Sequence, residues 1–90
     1  MKKLVVLAAT ALTLAVGPAA AYTPTMCSSL WLERNTYYKD AGYCFKTPRA
    51  ISQFGNAGCL YDDQNAVPLP RPIRDRISAI SRVEHMLGCE

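Results

Sequence analysis

LWLERNTYYKDAGYCFKT, residues Leu30 to Thr47, is the stretch that decides the fold. Twelve residues, Leu30 to Ala41, lack proline and glycine and read as a helix. Gly42 follows at the position where a left-handed residue usually closes a helix. At 100° per residue, Leu30, Trp31, Arg34, Tyr37, Tyr38 and Ala41 share one arc. Leu32, Glu33, Thr36, Lys39 and Asp40 share the other, an amphipathic pattern. Arg34 lies near the middle of the apolar arc and Asn35 at its edge. Tyr43-Cys44-Phe45 then forms a short apolar strand or turn.

Upstream, Ser28 or Ser29 is placed to cap this helix. Tyr22 to Met26, with its Thr-Pro pair, is expected to be extended. Downstream, Thr47-Pro48 reads as an N-cap followed by proline at N1. A short helix of about Pro48 to Phe54 would bury Ile51 and Phe54, and Gly55-Asn56 would end it. Ala57 to Pro70 is irregular, and a loop of this length is commonly functional or pinned; Cys59 and Tyr61 are the candidate pins. The last helix starts near Pro70 or Pro72 and runs to Leu87. Ile73, Ile77, Ile80, Val83 and Leu87 repeat at helical spacing, with Arg74, Ser78, Ser81, Arg82 and His85 opposite. Gly88 ends it. The expected fold class is all-α, a small disulfide-stapled helical domain with two longer helices, one short helix and an irregular loop.

The first residues carry an address. Lys2 and Lys3 precede a predominantly apolar run of thirteen residues, Leu4 to Val16, short of the ~20 needed to span a bilayer. Gly17-Pro18 breaks the run, and Ala19-Ala20-Ala21 supplies small residues at a cleavage site. The order is that of a secretory signal peptide, residues 1–21, with the mature domain at 22–90. Pro24-Thr25-Met26 before Cys27 lacks the small residues of a lipidation site. Removing 1–21 leaves 69 residues with eight Lys and Arg against seven Asp and Glu, a net charge of +1 rather than +3. That balance provides no clustered basic surface for nucleic acid. The expected location is the periplasm or the extracellular space, with no membrane span after signal cleavage.

Cys27, Cys44, Cys59 and Cys89 all fall in the mature part. An even count in a short exported chain reads as two disulfides. There is no CxxC, no CxxCH and no zinc-finger spacing, so no metal or other cofactor is expected. Three pairings are possible. The favoured one joins Cys44 to Cys59, tying the turn after the first helix to the loop after the second. It joins Cys27 to Cys89 across the two chain ends. A chain this small buries little apolar surface, and cross-links offset that by restricting the unfolded state.

Trp31, Arg34-Asn35, Tyr38, Gly42-Tyr43 and Phe45 keep the register of a known pattern of the kind RNxxYARHGYxF. On those residues the chain resembles the YARHG family, in its cysteine-bearing branch of small exported bacterial proteins. The similarity runs on through Lys46-Thr47-Pro48 and Gly58-Cys59 to the C-terminal helix. In the naming run, Tyr38 and Gly42 match while Lys39-Asp40-Ala41 departs, so the roles of the family's His and Arg do not transfer. The resemblance implies an extracellular or periplasmic domain without an established activity, with cell-wall association suggested by accompanying domains. It implies that Trp31, Arg34, Asn35, Tyr38, Gly42, Tyr43 and Phe45 are structural motif positions.

Candidates for chemistry are few. Arg34 has three readings: its stem lies along the core, it pairs with Asp62, Asp63 or Glu84, or it binds a carboxylate or phosphate ligand. His85 is the lone histidine, on a solvated face with no base or orienter. Asp62-Asp63 supplies too few oxygens for a cation site alone. Glu33 and Asp40 read as helix surface charges. Trp31, Tyr37, Tyr38, Tyr43, Phe45, Phe54 and Tyr61 either fill a core or offer a stacking platform for sugar or peptide. No set combines nucleophile, base and orienter, so no catalytic residue is assigned and the chain is not expected to be an enzyme. The function expected is a small exported binding or structural module, whose partner is a cell-envelope component or another protein. The alternatives are a secreted cell-wall-acting enzyme and an inhibitor or effector that presents the stapled loop.

Overall fold

A computed structural model describes residues 23–89. The expected signal peptide and its cleavage after Ala21 lie outside them. Three helices follow in order: α1, Thr23–Asp40; α2, Pro48–Phe54; and α3, Arg71–Leu87, with a 3-10 turn at Gln64–Ala66 before the last. The described part has no named strand, only an isolated parallel bridge between Tyr43 and Tyr61. It is the all-α, disulfide-stapled arrangement expected. None of its helices is long and apolar enough to cross a membrane.

α1 starts seven residues before the expected Leu30, at Thr23. The segment 23–26, expected to be extended, is helical, and Ser28 and Ser29 lie inside the helix rather than capping it. Pro24 lies within the helical span as described. Cys27 is bonded to Cys89, with Cα atoms 5.6 Å apart, so this early part of α1 is fastened to the end of α3. That tertiary anchor outweighs the weak helix preference of the two serines.

The two-arc reading of α1 also needs correction. Its one buried residue is Asn35, and Leu30, Trp31, Glu33, Arg34 and Thr36 to Lys39 are all half-buried. α1 is covered on more than one flank. α3 packs against one side, where Arg76 reaches Glu33. On another, Lys39 donates to the Gly55 carbonyl at 3.4 Å. From Leu30 to Lys39 only Leu32 is exposed, so this part of α1 has neighbours on most sides and needs no continuous apolar stripe.

Both long helices end in the same way. Tyr43 N–H bonds the Tyr38 carbonyl at 3.0 Å and Gly42 N–H bonds that of Lys39 at 3.1 Å. At α3, Cys89 N–H bonds Glu84 at 2.9 Å and Gly88 N–H bonds His85 at 3.1 Å. These are six-to-one and five-to-two closures with a left-handed glycine, Gly42 at φ 95° and Gly88 at φ 74°. Each closure delivers a cysteine to its disulfide within two residues. The second disulfide, Cys44–Cys59, holds Cα atoms 5.1 Å apart. Both expected pairings are thus formed.

α2 begins and ends where the sequence places it. Thr47 Oγ1 accepts from Ala50 N–H at 3.2 Å, Pro48 follows, and Gly55 N–H bonds the Ile51 carbonyl at 2.8 Å. The residue it buries is Ala50; Phe54 is half-buried, and Ile51 is exposed, contrary to expectation. A helix of two turns presents too narrow an inner face for all three.

On α3, Ile77, Ile80 and Glu84 are buried, and Ile73 and Leu87 are half-buried. The expected Val83 is exposed, because the inward stripe passes through Glu84 instead. The rest of the core is Cys44, Phe45, Ala50 and Val67. The loop between α2 and α3 is pinned at Cys59 by its disulfide and at Tyr61, whose carbonyl accepts from Cys44 N–H at 2.8 Å. Asp63 caps the 3-10 turn by accepting from Asn65 N–H at 2.9 Å.

Candidate functional site

The motif residues converge around the turn between α1 and α2. The backbone of Phe45 is fastened there by Asn56: its N–H donates to Asn56 Oδ1 at 2.7 Å and its carbonyl accepts from Nδ2 at 2.9 Å. One side-chain amide thus takes the place of a neighbouring strand. Fixed in this way, Phe45 stacks on Phe54 at 5.1 Å and meets Tyr43 edge-on at 5.3 Å. Trp31 reaches Phe54 at 5.9 Å, and Tyr38 reaches Tyr43 at 5.7 Å. Five aromatic rings form one chain from α1 through the turn to α2.

A cleft of about 300 Å³ opens beside this chain. Trp31, Arg34 and Asn35 of α1 line one wall, and Tyr43, Phe45, Lys46, Thr47 and Ala50 line another, with Gln64 reaching in from the loop. Five of the seven motif positions therefore share one concavity. Tyr38 lines a separate cleft with Val67, Leu69 and Ile77. Gly42 closes the helix, and a Cβ there would touch the Tyr61 ring at 3.5 Å. Space is sufficient, so it is the positive φ that calls for glycine.

Asn35 is buried, and its Nδ2 donates to the Trp31 carbonyl one turn back at 2.9 Å. Arg34 makes a two-pronged pair with Glu84, Nε to Oε1 at 2.7 Å and Nη2 to Oε2 at 3.0 Å. The side chains are 23% and 10% exposed, respectively. Of the three readings of Arg34, the structure selects pairing, and of the three carboxylates it selects Glu84. The guanidinium both neutralises a carboxylate on the inner stripe of α3 and lines the cleft. Among the described residues its Nη1 has no hydrogen-bond partner.

Two further cations stand close by. Lys46 Nζ lies 3.0 Å from Asp62 Oδ1 and 5.6 Å from the centre of the Tyr43 ring. Both partners are well exposed, so this ion pair is weak. The guanidinium of Arg49 lies 3.9 Å from the centre of the Trp31 ring, a cation–π contact. Among the described residues Arg49 forms no ion pair. Sequence reading missed Lys46, Arg49 and Gln64. The available signal was two cations flanking the Thr47-Pro48 cap, directly after the aromatic motif.

Glu33 was read as a surface charge, but it joins α1 to α3. Arg76 Nε and Nη2 donate to its carboxylate at 2.7 and 2.9 Å, and Tyr37 hydroxyl donates at 2.6 Å. The Arg76 guanidinium, with Tyr37 second, holds the Glu33 carboxyl down at about 2. The hydrogen bond that Tyr37 donates to Glu33 in turn raises its phenol. This cluster lies at the surface, with Glu33 and Tyr37 half-buried and Arg76 exposed, and it links the two helices.

The other candidates are dispersed. His85 is exposed on the outer face of α3, beside Ser81, Arg82 and Met86. Asp62 holds Lys46 and Asp63 caps the 3-10 turn, so the adjacent carboxylates serve different partners. Asp40 borders a third cleft, with Tyr37, Pro68 and Ile73. Among the described residues no three His, Cys, Asp or Glu side chains form a metal-ligand group, and all four cysteines are in disulfides.

No curated protein and no solved structure matches this chain. The family model of the YARHG domain matches residues 3–85. The match spans most of the 90 residues and includes every motif position described above, so the chain belongs to the YARHG domain family.

Proposed function

We propose that this protein is a small exported binding module of the periplasm or cell envelope, without catalytic turnover. Its recognition surface is the cleft at the turn between α1 and α2. The observation that carries this is the convergence of Trp31, Arg34, Asn35, Tyr43 and Phe45 on one concavity flanked by Lys46 and Arg49. Binding sites combine a few placed polar groups with aromatic surface on a rigid scaffold, and this cleft has both. Two disulfides suit an oxidising compartment. The leader at residues 1–21 supports export. The reading without turnover rests on side-chain placement. His85 lies beside Ser81 on an exposed helix face, with no hydrogen bond joining it to that hydroxyl or to an orienting carboxylate among the described residues, and the cysteines are cross-linked, leaving no thiolate to attack.

The stapled loop from Gly58 to Pro70 contributes through Gln64, which lines the cleft. Immobilised, oxidised protein is expected to retain a component of envelope extract, and the double variant K46E/R49E to lose it. Incubation with purified cell wall and with peptides is expected to release no product. Cleavage that is lost in His85→Ala or Asp62→Asn would replace this reading with the enzyme alternative.

A further inference from the structure

Resting on the cleft as the recognition surface, we infer that its ligand is an acidic saccharide, a sugar ring carrying a carboxylate. Three features of the lining and of Arg49 beside it point there together. Trp31 and Tyr43 line the cleft, with Arg49 over the Trp31 ring and Lys46 over the Tyr43 ring, so a sugar ring entering it would pack against combined aromatic and cationic surface. Thr47 and Gln64 offer hydroxyl and amide groups of the kind that pair with sugar hydroxyls. Lys46, Arg49 and the unused Nη1 of Arg34 supply cations at the same place. A ligand carboxylate can replace the exposed Asp62 on Lys46 at little cost, since that pair is solvated.

The competing anions fit less well. An acidic peptide that docked by adding a strand along the turn would need free backbone groups. Phe45 N–H and carbonyl are both taken by Asn56, and Cys44 N–H is taken by Tyr61. A nucleic acid needs an extended basic surface, and residues 22–90 carry a net charge of only +1.

Trp31 is the only tryptophan, so its emission reports on the cleft directly. Oxidised protein is titrated with tetragalacturonate, a glucuronate-bearing tetrasaccharide, methyl-esterified tetragalacturonate, tetraglutamate and inorganic phosphate. At least one acidic saccharide is expected to change Trp31 emission saturably. Loss of the carboxylates in the ester should weaken binding about tenfold, as expected for losing a charge-assisted hydrogen bond. Lys46→Gln and Arg49→Gln should each weaken it severalfold, with Arg49→Lys recovering part. Unchanged circular dichroism and thermal midpoint establish that these exposed substitutions leave the fold intact. Equal affinity for the ester overturns the inference in favour of a neutral-sugar site. A stronger response to tetraglutamate or phosphate overturns it in favour of those anions. No response to either acidic saccharide also overturns it. In that event, K46E/R49E-sensitive retention of an envelope component leaves the binding-module reading standing.

Discussion

The Arg34–Glu84 pair is the contact through which α1 and α3 depend most on each other's chemistry. Glu84 occupies an inward position of α3 at 8% exposure, where an aliphatic residue would continue the stripe of Ile77 and Ile80. Removing the cation leaves that carboxylate desolvated and unpaired. A fully buried pair would lose ~3–5 kcal/mol on losing one partner. Arg34 keeps 23% side-chain exposure, so water takes over part of its role. Arg34→Met, which keeps most of the stem, is therefore expected to cost ~2–3 kcal/mol. Glu84→Leu strands a partly exposed guanidinium instead and should cost ~1–2 kcal/mol. The double variant R34M/E84L places two apolar side chains together and should be less destabilised than R34M alone. The measurement is urea unfolding of the oxidised proteins at one pH, with stabilities compared at constant m-value. Summed single effects should exceed the double by ~1.5 kcal/mol or more. Agreement within ~0.5 kcal/mol, the usual bound for independent sites, would refute the reasoning.

Three other outcomes are expected. The carboxyl of Glu33 is held at about 2, below its ordinary 4.5. Its folded-state value is depressed, so its stabilising contribution is complete above about 4.5 and is lost as pH falls toward about 2. Arg76→Gln should raise the Glu33 midpoint in a carboxyl-carbon NMR titration and flatten the stability profile in that window; an unmoved midpoint would show that Arg76 is not its cause. Asn56→Ala removes both hydrogen bonds to Phe45 and should cost ~2 kcal/mol, with the Trp31 environment altered in near-ultraviolet circular dichroism. Replacing Cys27 and Cys89 by serine opens a link of sequence separation 62 and should cost ~4 kcal/mol, against ~3 kcal/mol for the separation-15 link Cys44–Cys59. Thermal midpoints of the two double variants should fall in that order.

Much of the architecture was legible from local rules. Gly42, Gly88 and the Thr47-Pro48 pair marked helix ends, because each satisfies backbone groups within a few residues of itself. The even number of cysteines in a short chain expected to be exported led to the two disulfides for the same reason that small domains need them: their cores are too small. The aromatic and Arg-Asn register identified the motif positions, although not their convergence on a cleft.

Other features were settled only when the chain folded on itself. Thr23 to Met26 became helical because Cys27 is bonded to Cys89, a partner 62 residues away. Val83 lost its inward place to Glu84 because Arg34, on another helix, supplies the charge that makes a carboxylate tolerable there. Glu33 and Lys39 ceased to be simple surface charges because α1 is flanked by α3 on one side and reached by Gly55 on another. Lys46, Arg49 and Gln64 joined Trp31 and Tyr43 through the Asn56 clasp on Phe45, which no periodicity encodes. Sequence by itself determined where helices stop and that four cysteines make two cross-links, since these depend on local geometry or covalent necessity, while the choice among the three pairings was settled by the fold. Tertiary structure decided which polar groups are buried and what faces the cleft, since burial is a property of neighbours that are distant along the chain.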